Sequence, residues 1–268
     1  MIATQPAIPL RGAMGASGAI RALAAYLRLE LRRAARNRRY LFLGIGFPVV
    51  FYLLYTGFLQ GKAANPVDPR FQAFFLVSMA AYGMIGAALS SAVPIAQERS
   101  TGWTRQLRIT PLPSAAWVAT KLAVAYLTAL PALGLVSLVA IVVNHVDLAP
   151  ATWVQLIAGL AVGVIPFAAF GLLIGYSLDP GSAQGAVTVT YLATSILGGL
   201  WAPVSTFPDG LATIARIMPT YHLANLGWTA LDGRTPDPVD LLVLVGYGAA
   251  AFALVAWRFR TSEQRARG

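Results

Sequence analysis

The chain has 268 residues, of which 57% are apolar and only 11% charged, against about 25% charged in an ordinary soluble domain. So few charges could not coat a soluble globule of this size, and the absence of cysteine excludes disulfides and thiolate metal sites. The net charge of +10 would suit nucleic acid, but basic residues flanking apolar runs report membrane topology instead, and no nucleic-acid partner is expected.

Residues 1–19 are rich in Gly, Ser and Pro and read as a flexible tail. They lack a basic start followed by an apolar stretch, so no cleaved signal peptide is expected. From residue 20 the pattern changes. Ile20, Leu23, Ala24, Leu27, Leu31 and Ala34 recur at helical spacing, with Arg21, Arg28, Arg32, Arg36 and Arg39 on an adjacent face. Residues 20–39 then read as an amphipathic elbow helix lying on anionic headgroups of the membrane lipids. A plain basic flank to the first span is the alternative.

A helix needs about 20 apolar residues to cross the hydrocarbon core. Six segments qualify: Tyr40–Leu59, Phe71–Ala96, Trp117–Val143, Trp153–Leu178, Gly185–Trp201 and Val239–Trp257. Runs this continuous are not barrel strands, so the expected fold class is an all-α polytopic membrane protein. Eight arginines precede the first span, four basic residues follow the second (Arg99, Arg105, Arg108, Lys121) and four follow the sixth (Arg258, Arg260, Arg265, Arg267). The opposite side has only Lys62, Arg70, Arg216 and Arg234. This asymmetry predicts both termini in the cytoplasm. Residues 20–258 form one transmembrane domain on this reading, and residues 259–268 a cytoplasmic tail.

Two connections, 144–152 and 179–184, are short enough to force antiparallel hairpins. The connection 202–240 is longer and carries Phe207, Leu211, Ile214, Ile217, Leu223, Leu226 and Trp228. A watery loop would not, so residues 202–231 are expected to dip back into the membrane as short re-entrant helices broken by Pro208 and Pro219. Gly159 with Gly163 and Gly171 with Gly175 form small-xxx-small pairs suited to close backbone packing. Pro131 and Pro166 lie inside spans and are expected to kink them.

The polar connection 97–112 mixes both charge signs with Trp103, Leu107 and Ile109, and Thr110-Pro111 would end a helix there. A short helix of this kind, held beneath a bundle, suits docking into a groove on another protein; an ordinary surface loop is the other reading. Glu98-Arg99, Gly102-Trp103, Leu107-Arg108-Ile109-Thr110-Pro111-Leu112 and Lys121, followed much later by Pro219-Thr220-Tyr221-His222, resemble type-2 ABC exporter permeases. The likeness covers residues 20 to 258. Two departures stand out: Trp103, Thr104 and Arg105 follow Gly102 where many relatives carry an acidic residue, and Ala224-Asn225-Leu226-Gly227 follows the Thr-Tyr patch where Asp and Arg are common.

That resemblance implies a transport subunit facing a second permease copy, identical or related. It implies two copies of a separate ATPase, which would bind ATP and Mg. The chain itself has no Gly-x-x-x-x-Gly-Lys-Ser/Thr loop and needs no cofactor of its own on this reading. Residues 97–112 would include the coupling helix, with Glu98 and Arg99 as foremost contacts and Gly102, Arg105, Leu107 and Arg108 beside them. Pro219, Thr220 and Tyr221 would belong to the re-entrant region. The expected location is a bacterial inner membrane.

Two stripes are candidates for the substrate path. Phe47, Phe51, Tyr55 and Phe58 fall on one face of the first span, and Thr188, Tyr191 and Ser195 on one face of the fifth. Hydroxyls are costly against lipid and should turn inward, but they also glue helices together, so packing is the competing account. Such a path would suit a small amphipathic, low-charge compound such as a drug, antibiotic or lipid-like molecule. A lipid-linked glycan, or a non-transporting sensor or immunity role, is the alternative. No charged residue sits mid-span, which disfavours ion-coupled transport. His145 and His222 lack the motifs of an intramembrane enzyme.

Overall fold

The computed structural model describes residues 16–37, 41–58, 68–102 and 114–265, and among them there are helices and no strand. Helix α1 is Ala16–Ala35. The first apolar run does not form one long helix. A π-helical turn (Leu41–Gly46) leads into α2 (Phe47–Leu53), and a second π turn (Leu54–Phe58) follows. Gly44, Gly46 and Gly57 weaken this run, and Pro48 lacks the N–H that a continuous ladder would need.

Helix α3 (Pro69–Ser90) and α4 (Ala92–Ser100) are nearly continuous, with a break at Ser91. Pro94 can donate no bond to the preceding turn, while Ser90 and Ser91 donate back to Ala87 and Ala88 carbonyls, at 2.7 and 2.8 Å. The polar residues Gln97 to Ser100, expected to open a separate helix, are instead the last turn of α4. Gly102 follows at φ +74°, a conformation that ends the helix at little steric cost.

Helix α5 (Ser114–Val142) continues through Pro131 without a break. The next apolar segment is divided at Val164 into α6 (Pro150–Gly163) and α7 (Ile165–Ser177), where Pro166 restarts the helix. Helix α8 is Pro180–Leu197, α9 Asp209–Ala215, α10 Pro219–Leu231 and α11 Pro238–Arg265. Proline opens α3, α6, α8, α10 and α11, a position where its missing N–H costs nothing. At α8 the Asp179 carboxylate accepts the Ser182 N–H at 3.0 Å. Hydrogen bonds from Ser182, hydroxyl first and backbone second, hold its carboxyl below the usual range. Helix α11 continues past Trp257 to Arg265, through residues expected to be a tail.

Four helical stretches among the described residues are long and apolar enough to cross a membrane: Pro69–Ser100, Trp117–Val142, Pro150–Ser177 and Pro238–Arg258. Gly44–Gly57 is a shorter apolar helix, and α8 carries three threonines and two serines that dilute its apolarity. The chain is a multi-pass membrane protein. Burial separates the helices. The apolar window of α3–α4 is 83% buried, that of α11 only 22%. The α3 helix is therefore the axis of the core, packed most extensively on α5, whereas α11 lies against α7 and turns Leu242, Val245 and Phe252 outward. The glycine pairs do the packing expected of them. Gly171 and Gly175 set α7 directly on the backbone of Ala88 and Ala92, and Gly159 and Gly163 receive Leu226 and Leu223 of α10.

Candidate functional site

The two candidate stripes meet in one place, but not as whole stripes. A cleft of about 460 Å³ opens between the start of the first apolar run, α3–α4 and α8. Phe47, Tyr82, Thr188 and Tyr191 line it, with Gln97 and Gln184 towards one end, and no charged residue does so among those described. Tyr191 stacks on Tyr82 with ring centroids 4.3 Å apart, and its ring presses on Gly86, where any side chain would collide. Thr188 is exposed and donates to the Gln184 carbonyl at 3.0 Å.

The other stripe members point elsewhere. Phe51 stacks between Phe47 (4.8 Å) and Tyr55 (5.8 Å), and meets Trp201 edge-on at 5.0 Å. Tyr55 lies flat on Phe75 at 4.5 Å. These rings form an internal ladder joining α2 to α3. Ser195 is fully buried, donates to the Leu192 carbonyl and accepts the Trp201 indole N–H at 3.3 Å. It is packing polarity, as its spacing alone could not tell. The side chain of Phe58 lies outside the described residues, as do Arg105, Leu107 and Arg108.

Glu98 and Arg99, at the end of α4, face inward. Glu98 Oε1 accepts from Lys121 Nζ at 2.6 Å, and the same ammonium reaches Glu30 Oε2 of α1 at 2.8 Å. Arg99 donates to the Leu178 carbonyl at 3.3 Å, with its guanidinium 5.6 Å from the centre of the Tyr176 ring. Tyr26 packs beside this cluster, Lys121 lying 5.8 Å from its ring centre. Burial and the nearby Glu98 carboxylate push its phenol far above the ordinary range. A second cleft of about 370 Å³, lined by Glu30, Glu98 and Lys121, shares Ser90, Pro94 and Gln97 with the first. The two clefts thus adjoin across the α3–α4 kink.

The opposite end of the bundle has its own buried polar cluster. His222 of α10 meets Asp240 Oδ1 through Nδ1 at 2.7 Å and the Arg216 carbonyl through Nε2 at 2.8 Å. A carbonyl only accepts, so Nε2 carries the proton there. Asn225 donates to Asp240 Oδ2 at 2.8 Å. Of the Pro219-Thr220-Tyr221 patch, Pro219 opens α10, Thr220 is buried and donates to the Thr194 carbonyl of α8 at 2.5 Å, and Tyr221 meets Trp228 edge-on at 6.0 Å. Nearby lies an open hollow of about 1060 Å³ lined by Arg70, Phe74, His145, Tyr221 and Trp228.

Sequence reasoning missed Glu30 and Asp240. Glu30 left one signal, a lone acidic residue in the arginine-rich first helix, four positions after Tyr26. Asp240 left none beyond its place in a helix's first turn.

The comparisons with known proteins agree with this architecture. A family model described as ABC-2 family transporter protein matches residues 59–257. The chain is similar to a protein of Bacillus subtilis (strain 168) named as the putative transport permease YvfS, with 27% identity over 220 residues, 81% of this chain and 89% of the relative.

Proposed function

Because the chain belongs to the ABC-2 family of transporter proteins, we propose that it is the permease subunit of an ATP-driven exporter, moving a small amphipathic compound of low charge out of the cytoplasm or inner leaflet. The observation that carries the cargo class is the cleft itself. Aromatic side chains of Phe47, Tyr82 and Tyr191 line it together with the hydroxyl of Thr188 and the amides of Gln97 and Gln184, and no charged residue is among the lining. Such walls receive a mostly apolar body and hydrogen-bond a few polar substituents, and an ion stripped of water would find no counter-charge there.

The rest of the reading extends the sequence argument. Six passes, both termini in the cytoplasm of a bacterial inner membrane, an elbow at α1 and re-entrant helices at α9 and α10 are supported by the basic-residue asymmetry and by helices at those positions. ATP and Mg would be bound by two copies of a partner ATPase, and a second permease copy would complete the path. Glu98 and Arg99 then serve the coupling segment from within, anchoring its base, while residues 103–112 make the contact.

Inside-out vesicles holding this chain and the ATPase that co-purifies with it provide the test. ATP should drive uptake of a neutral amphipathic dye in preference to its permanently charged analogue, and Tyr191→Ala should change that preference without lowering the amount of protein. Uptake that favours the charged dye, or no ATP-dependent uptake at all, would overturn the proposal.

A further inference from the structure

Lys121 joins three helices that are remote in sequence. Its ammonium binds Glu30 of α1, 91 residues away, and Glu98 of α4, 23 residues away, from the early turns of α5. The Lys121 side chain is 4% exposed, and those of Glu30 and Glu98 are 7% and 14% exposed. Stability alone is a poor reason for this arrangement. Burying charges costs solvation that their attraction only repays with good geometry, and apolar side chains of similar size often hold a site as well. What an ion pair adds is a unique geometry, because a displaced partner leaves a charge buried without compensation.

Position explains the use of that geometry. Gly102, where the chain turns into the segment assigned above to ATPase contact, lies four positions after Glu98. That segment joins α4 to α5, so a push on it bears on the last turn of α4 and the first turns of α5. Arg99, the next residue, ties the same turn to the end of α7 through the Leu178 carbonyl. Held from α5, the two ion pairs oppose sliding of that turn past α1 or α5.

We infer that Lys121 is a positioning residue that clamps α1, the end of α4 and the start of α5 into one body, so that movement of the segment after Gly102 is delivered to all three. This rests on the transport reading above. The triple substitution Glu30→Gln, Lys121→Met, Glu98→Gln removes every charge of the clamp while keeping side-chain size, and Lys121→Arg keeps the charge. The chain has no cysteine, so spin labels at Arg32→Cys and Ser100→Cys, both exposed, report the α1–α4 distance without background.

The triple variant should reach the membrane and retain its ATPase, yet show a broadened distance distribution and about tenfold less transport per ATP hydrolysed, the size of an ordinary coupling energy. Lys121→Arg should restore both readouts. An unchanged distance distribution would overturn the clamp, and a broadened one with undiminished transport per ATP would overturn its role in transmission. If the wild-type chain moved no cargo, the exporter reading would fall, and the distance measurement would still decide the clamp.

Discussion

At one end of the bundle a single ammonium serves two carboxylates, whereas at the other a single imidazole sits between a carboxylate and a backbone carbonyl. The His222 cluster is saturated. Both ring nitrogens and both oxygens of Asp240 have partners, and Asn225 closes the set. The Lys121 cluster instead hangs on one cation, whose ammonium joins the Glu30 and Glu98 carboxylates. A fully satisfied network rigidifies, whereas one that hangs on a single cation fails with that cation. The His222 end is thus a lock between α10 and α11, and the Glu98 end a joint that one ammonium clamps.

Lys121→Met should break the comparison most forcefully. It strands Glu98 in the interior and leaves Glu30 with Arg33 alone, at 3.4 Å, and should lower stability by about 3–5 kcal/mol, read from thermal or denaturant unfolding in detergent. Adding Glu30→Gln and Glu98→Gln should recover most of that loss. No loss in the single variant would mean that water already reaches the joint.

Replacing His222 by Ala leaves the Arg216 carbonyl and Asp240 each short of a partner, and should cost about 1–3 kcal/mol. Hydrogen exchange should quicken across residues 209–217 and stay unchanged in α1. Faster exchange at α1 as well would show that the two ends are not separate devices.

Gly175→Ala sharpens the contrast from the helix that touches the joint. The added methyl would run into the Ala92 backbone, which cannot yield as a flexible side chain would. Overpacking of this kind should cost about 1–3 kcal/mol. Gly181→Ala, where the nearest atom is 3.8 Å away, should leave the unfolding midpoint where it was.

The difference between the ends also marks what a sequence can reveal. Apolar length located the helices, since lipid leaves the backbone few alternatives. Helix ends were less legible: the polar side chain of Gln97 marked the limit of the apolar run, yet the hydrogen-bonded ladder continued to Ser100 and stopped where Gly102 let it. The aromatic stripe was legible as spacing, but its facing was not. Phe51 and Tyr55 turn onto Trp201 and Phe75, and these partners come from other helices. The pairings of Lys121 with Glu30 and of His222 with Asp240 bridge 91 and 18 residues. Nothing in local periodicity encodes a contact at that range.

The smallest effect is expected at Arg234, and it separates charge from position. Among the described residues its guanidinium pairs with the Asp232 carboxylate, and those side chains are 67% and 60% exposed, so water screens the pair and Arg234→Ala should change stability by less than about 1 kcal/mol. The backbone of the same residue does more. Its carbonyl accepts the Gln155 side-chain amide at 2.6 Å and so ties the turn after α10 to α6. Gln155→Ala should therefore cost about 0.5–1.5 kcal/mol, more than removing the charge. Equal unfolding midpoints for the two variants would mean that the turn is held by helix packing alone, and that this end of the bundle owes its rigidity entirely to His222 and its neighbours.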